Sequence, residues 1–228
     1  MMPQSVSILG ATGSIGDSTL DVIARNPEQF RVAALTANRN VDKLAELSLR
    51  HEAKLAVIAD PSLQDALAAR LRELGSTAEV QSGDAGLAAA AEMPEADMVM
   101  AAIVGAAGLK PTFQAAQRGK KILLANKESL VIAGEVFMAE ARRNGARILP
   151  VDSEHNAIFQ SMPPAFEEGL DEAGVDKVIL TASGGPFLHL SADELENVTP
   201  EQACNHPNWD MGRKISVDSA TLMNKGLE

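Results

Sequence analysis

Residues 6 to 16 read Val6-Ser7-Ile8-Leu9-Gly10-Ala11-Thr12-Gly13-Ser14-Ile15-Gly16: an apolar run, glycines at every third position, and the opening of a helical pattern. A strand that ends in glycines and turns straight into a helix lets the backbone approach a pyrophosphate. Glycine has no Cβ to hold the ligand off, and the first N–H groups of the helix have no acceptor of their own. The spacing is Gly-x-x-Gly-x-x-Gly and not Gly-x-Gly-x-x-Gly, so a plain strand-to-helix turn competes with the dinucleotide reading.

The pattern repeats outward from this turn. Val6 to Leu9, Arg31 to Leu35, Leu55 to Ile58, Met98 to Ala101, Ile122 to Leu124 and Arg147 to Val151 read as strands. Leu20 to Asn26, Val41 to His51, Ser62 to Leu74, Pro111 to Arg118 and Ser129 to Arg143 read as helices between them. Such alternation predicts an α/β fold with a doubly wound, Rossmann-like parallel sheet. Beyond about Val151 the texture changes to Pro- and Gly-punctuated loops with one expected strand, Lys177 to Thr181. The predicted division is therefore a dinucleotide-binding domain over residues 1–150 and part of an α/β catalytic domain over 151–228. Ser219 to Glu228 begins an amphipathic pattern with no stop signal after it, so the chain is expected to be the N-terminal portion of a longer polypeptide.

The net charge of -11 argues against nucleic acid or an anionic membrane surface as a partner. The single cysteine, Cys204, cannot close an internal disulfide, and the first ten residues lack the basic start of a targeting peptide. With no apolar run of membrane-spanning length, a cytoplasmic protein is expected.

At the end of the second strand, where NAD-preferring proteins carry an acid for the ribose hydroxyls, the chain reads Thr36-Ala37-Asn38-Arg39-Asn40. Arg39 offers a permanently charged planar fork suited to a 2′-phosphate, which predicts NADPH over NADH. The alternative is a solvated loop arginine. Asp152 and Glu154 stand two apart at a predicted strand end; in extended geometry both leave one face while Ser153 points to the other. Close carboxylates repel unless a cation lies between them, so the pair suits hard Mg²⁺ or Mn²⁺, with Co²⁺ also acceptable. A solvated acidic strand end is the competing reading. Lys127 sits between a strand end and a helix start, where ligands bind in open α/β sheets; the alternative is a surface lysine paired with Glu128.

Further on, Ser183 and the glycine amides of Ser183-Gly184-Gly185-Pro186-Phe187 can hold an anion. His206 opens a Pro/Gly-bounded loop carrying the only tryptophan, Trp209, which suits a lid as well as a core position. Ser219, Asn224 and Lys225 bring a hydroxyl, an amide and an ammonium close in sequence, a set able to grip a phosphate, and Glu228 offers a third acidic oxygen.

Taken in order, Gly10 to Gly16, Ala101 to Leu109, Leu123 to Leu130, Leu149 to Gln160, Ser183 to Phe187 and His206 to Glu228 resemble the 1-deoxy-D-xylulose 5-phosphate reductoisomerases across essentially the whole chain. The resemblance implies NADPH- and metal-dependent rearrangement and reduction of that phosphosugar to 2-C-methyl-D-erythritol 4-phosphate in non-mevalonate isoprenoid synthesis. It implies metal ligation by Asp152, Glu154 and Glu228, and catalytic roles for Lys127, Asp152, Glu154, His206 and Glu228. Substrate contacts are implied for Lys127, Ser153, Glu154, Ser183, His206, Ser219, Asn224, Lys225 and Glu228. Cofactor contacts are implied for Thr12, Gly13, Ser14, Ile15, Arg39, Asn40, Asn126, Glu128 and Gly212, with Asn38 in the cofactor loop where many relatives have glycine. Trp209 and Met211 fall in the counterpart of a flap. The family continues past Glu228 and suggests a homodimer, and the terminal Glu228 is expected to fray. Two alternatives stay open: a non-catalytic NADPH-binding fragment, and a dehydrogenase of another substrate.

Overall fold

The computed structural model describes residues 2 to 209 and 212 to 228, apart from the side chains of Glu167 and Glu168. The expectation for Met211 therefore lies outside the described residues. The chain divides into two compact units, Met1–Asp152 and Ser153–Glu228.

The first unit alternates β1 (Gln4–Leu9), α1 (Ser14–Arg25), β2 (Phe30–Ala37), α2 (Val41–Arg50), β3 (Leu55–Ile58), α3 (Gln64–Leu74), β4 (Glu79–Ser82), α4 (Gly83–Glu92), β5 (Met98–Ala101), α5 (Leu109–Gln117), β6 (Lys121–Leu124), α6 (Glu128–Asn144) and β7 (Arg147–Pro150). The strands form one sheet in the order β4-β3-β2-β1-β5-β6-β7, and every pairing is parallel. Parallel strands need crossover helices on both faces, so both faces must be apolar. Successive strand residues point to opposite sides, and the core divides accordingly. Ile8, Leu35, Ile58 and Met100 pack with Leu20 of α1, Leu44 of α2 and Leu67 of α3. Their neighbours Leu9, Ala34, Val57 and Val99 pack with Ala90 of α4, Ala115 of α5 and Phe137 of α6. The doubly wound expectation holds.

Two elements are absent from the sequence-based expectation. The β4 segment Glu79-Val80-Gln81-Ser82 has one apolar residue, because an edge strand needs only partial cover. The α4 segment is built on a run of alanines, whose small side chains give little contrast between faces.

The second unit carries α7 (Ser153–Ser161), α8 (Ala192–Leu195), α9 (Pro200–Ala203), α10 (Arg213–Ala220) and α11 (Met223–Leu227). Reciprocal side-chain bonds fix the starts of the two shortest helices, Ser191 with Glu194 and Thr199 with Gln202. The strand expected over Lys177 to Thr181 does not form. A strand exists only through its cross-strand bonds, and the described residues of this unit contain no other strand to supply them. Val178, Ile179 and Leu180 remain exposed as a result. No helix among the described residues is long and apolar enough to cross a membrane.

Candidate functional site

The strand order reverses at β1, which lies between β2 and β5, and ligands of open parallel sheets bind at the carboxyl ends of strands at such a point. Gly10 leaves β1 there with φ of +89°, and a Cβ on it would stand 2.8 Å from the Ala102 carbonyl oxygen just beyond β5. Gly16 is equally constrained, since a Cβ would meet the Ala11 carbonyl oxygen at 2.4 Å. The turn is tied to β2: the Gly10 N–H donates to Thr36 Oγ1 at 2.9 Å and the Ala11 N–H to the Thr36 carbonyl at 2.7 Å. Gly13 precedes α1 with no side chain capping the helix, while Gly13, Ser14 and Ile15 face solvent and Thr12 is half-buried. The first turn of α1 thus has no side-chain cap for its N–H groups.

Beside this turn, Arg39 is exposed and ion-paired with Asp60 beyond β3. Hydrogen bonds from Ser62, and then the Arg39 charge, hold the Asp60 carboxyl below its usual value. Asn40 caps α2 by accepting from the Lys43 N–H at 3.2 Å. Asn38 accepts from the Asp60 N–H and does not adopt a positive φ, so the loop makes no use of the left-handed tolerance of asparagine.

Asn126 is buried, and its amide nitrogen donates to the carbonyls of Ile103 and Gly105 while its oxygen accepts from the Ser129 N–H. That side chain is committed to holding the 103–105 loop against α6. Glu128 starts α6. Lys127 is not a surface lysine: its side chain is 6% exposed and its ammonium lies 3.0 Å from an Asp152 oxygen.

In the second unit, Lys225 Nζ bridges two carboxylates, 2.5 Å from Glu154 and 2.9 Å from Glu228. Glu154 and Glu228 present oxygens within 4.8 Å of each other. Ser153 donates its hydroxyl to Glu154 at 2.7 Å. Burial pushes the Glu154 carboxyl upward, but hydrogen bonds from Lys225 and Ser153 and the Lys225 charge outweigh it, holding the group at about 2. Two expectations need correction. Asp152 and Glu154 do not share a strand face, because β7 ends at Pro150 and α7 begins at Ser153. Glu228, expected at a frayed end, has a side chain that is 1% exposed and an N–H that donates to the Asn224 carbonyl.

The pH consequence has a definite sign. A carboxyl held at about 2 against an ordinary 4.5 stabilises the fold above pH 4.5, and that contribution disappears as pH falls through about 2. Lys225→Met is expected to move the Glu154 titration, followed by carboxyl-carbon NMR without metal, upward from about 2, because burial then acts with less opposition. The stability gap between the two proteins should be widest above pH 4.5 and close towards pH 2. An unmoved titration would show that Lys225 does not control this carboxylate.

His206 is buried, and its Nδ1 accepts from the N–H groups of Asn208 and Trp209, each at 3.2 Å. With Nδ1 accepting, Nε2 is the ring nitrogen that donates, and it faces Ser183 Oγ at 3.2 Å. Ser183 Oγ also accepts from the Gly185 N–H at 3.3 Å. With both acceptor positions filled, the serine hydrogen is left to donate outward. A Cβ on Gly185 would stand 2.8 Å from the Ser219 carbonyl, so this loop lies against the end of α10. Ser219 is buried, and buried Asn224 keeps its Oδ1 without a hydrogen-bond partner among the described residues. Gly212 caps the start of α10, and Trp209 is 65% exposed, excluding the core position.

The sequence offers little sign that Thr36 and Lys43 hold the glycine turn. Lys43 follows the Asn40 cap by three residues, one helical turn, and that spacing is the only hint.

Two family models match the chain: 1-deoxy-D-xylulose 5-phosphate reductoisomerase over residues 6–134, and the C-terminal domain of that enzyme over residues 148–228. The Dechloromonas aromatica enzyme of that name is 59% identical, over 99% of this chain and 56% of that protein. The Methylococcus capsulatus enzyme is 58% identical, over 99% of this chain and 57% of that protein. A crystal structure of DOX-P reductoisomerase in complex with NADPH, fosmidomycin and magnesium superposes with a TM-score of 0.93 at 48% identity, covering 98% of this chain and 56% of that one. The Zymomonas mobilis enzyme in complex with NADPH gives 0.87 at 52% identity, covering 100% of this chain and 56% of that one. The chain thus spans about 56% of the length of the curated relatives it matches.

Proposed function

Because the chain belongs to the 1-deoxy-D-xylulose 5-phosphate reductoisomerase family, we propose that it contributes the NADPH-binding domain and part of the catalytic domain to an enzyme. That enzyme converts 1-deoxy-D-xylulose 5-phosphate to 2-C-methyl-D-erythritol 4-phosphate for isoprenoid synthesis. In this reading residues 1–150 bind NADPH and residues 151–228 bind the metal and the phosphosugar. The protein works in the cytoplasm as a homodimer.

The observation that carries the reading is the cluster in which Glu154 and Glu228 converge on one ammonium, that of Lys225. Lys225 balances part of that negative charge, and carboxylate oxygens suit a hard divalent ion, so the donor chemistry fits Mg²⁺ or Mn²⁺ held by Glu154, Glu228 and Asp152. Bound there, the ion would supply Lewis acidity to the ketone and neighbouring hydroxyl of the substrate. Lys127 and Ser153 orient the reacting carbons. The outward hydrogen of Ser183, fixed by His206 and Gly185, donates to the phosphate together with Ser219, Asn224 and Lys225. Gripping a phosphate remote from the reacting bonds converts binding into orientation, so these contacts act on rate as well as affinity.

Thr12, Gly13, Ser14 and Ile15 receive the NADPH diphosphate at the start of α1, and Arg39 with Asn38 and Asn40 takes the 2′-phosphate. Asn126, Glu128 and Gly212 complete the cofactor contacts, Asn126 through its backbone because its side chain is already committed. The NADPH and magnesium named for one neighbour support both assignments.

The test is NADPH oxidation on addition of 1-deoxy-D-xylulose 5-phosphate, with and without a chelator. Oxidation that needs both substrate and divalent metal is expected; substrate-dependent oxidation surviving complete chelation overturns the reading. The alternative reading is an NADPH-binding portion inactive by itself. Calorimetric NADPH binding without turnover is its signature.

A further inference from the structure

Lys43 lies outside every cofactor contact assigned above, yet its side chain reaches the centre of the glycine turn. From the first turn of α2 its ammonium donates to the Thr12 carbonyl at 3.1 Å and to Asp17 of α1 at 2.7 Å. Its backbone N–H is held by Asn40, the residue that follows Arg39. The Thr12–Gly13 peptide is thereby pinned at both ends, its carbonyl by Lys43 and its N–H by the Gly10 carbonyl at 3.2 Å. A pinned peptide plane fixes the direction in which the following amides of α1 point. The same ammonium neutralises Asp17, a carboxylate in the first turn of α1 that would otherwise repel an incoming diphosphate.

We infer that Lys43 is a positioning residue for the diphosphate-binding turn, acting through the Thr12 carbonyl and Asp17 and not by touching the 2′-phosphate. The inference rests on the dinucleotide reading of the turn. Every dinucleotide carries the diphosphate and only NADPH carries the 2′-phosphate, so the two roles separate cleanly.

Dissociation constants of NADPH and NADH for the wild-type chain, Lys43→Met and Lys43→Arg decide the matter, with thermal unfolding of each protein as a check on folding. Lys43→Met is expected to weaken both nucleotides by the same factor, roughly 3- to 10-fold, the size of one ordinary hydrogen bond, since Lys43 acts on the nucleotide only through the turn. Its unfolding midpoint should stay close to wild type, and Lys43→Arg should recover most of the affinity. If Lys43→Met fails to fold, Lys43→Gln carries the same expectation. A loss confined to NADPH would make Lys43 a 2′-phosphate ligand and overturn the inference, as would unchanged affinity for both nucleotides. A wild-type chain that binds neither nucleotide overturns the dinucleotide reading itself, a failure visible before any variant is compared.

Discussion

Arg39→Ala is expected to raise the dissociation constant for NADPH by about 10- to 100-fold while leaving that for NADH within about twofold. The magnitude is that of a charge-assisted, two-pronged contact between a guanidinium and a phosphate, at about 1.5–3 kcal/mol. Arg39 is well placed for it: its side chain is 67% exposed at the end of β2, and Asp60 engages one nitrogen of its fork. NADH has a hydroxyl where NADPH has the phosphate, so truncating the arginine removes little from it. Fluorescence titration of both nucleotides measures the ratio. Equal losses would show that Arg39 supports the loop generally and does not read the phosphate.

Glu154→Gln should weaken Mn²⁺ binding by at least about 100-fold, since losing a residue that merely supports a metal ligand typically costs 10- to 100-fold and Glu154 is proposed as a charged ligand itself. The substitution keeps the side-chain volume, so the loss reports charge and ligation and not packing. It also frees Lys225 from one of its two carboxylate partners, leaving the ammonium to compete with the ion at Glu228 alone. Calorimetry or the electron spin resonance of free Mn²⁺ follows the change. Unaltered Mn²⁺ affinity would remove Glu154 from the ligand set.

Much of the first unit was legible in the sequence because parallel strands covered on both faces are forced into apolar runs. Leu55 to Ile58 and Met98 to Ala101 are strands with the bounds that their composition marks. Legibility failed where burial relaxes: the edge strand β4, and the alanine-built α4 beside it, carry little contrast between faces. In the second unit Lys177 to Thr181 has strand composition but no partner strand among the described residues, and composition cannot reveal whether a partner exists.

The acidic residues were legible as types but not as geometry. Asp152 and Glu154 straddle the end of β7 and the start of α7, so a period-two argument does not apply to them. The approach of Glu228 to Glu154 joins residues 74 positions apart through Lys225, a contact that no local pattern encodes. The His206 tautomer is of the same kind, since it depends on which backbone N–H groups meet its ring.

Crystals grown with NADPH and Mn²⁺, with the metal located by its anomalous scattering, put the account to its most direct trial. The predicted result is one ion contacted by carboxylate oxygens of Asp152, Glu154 and Glu228, with the nucleotide diphosphate at the Gly10 to Gly16 turn. An ion bound elsewhere, with Glu154 and Glu228 still closed on Lys225 alone, would contradict it.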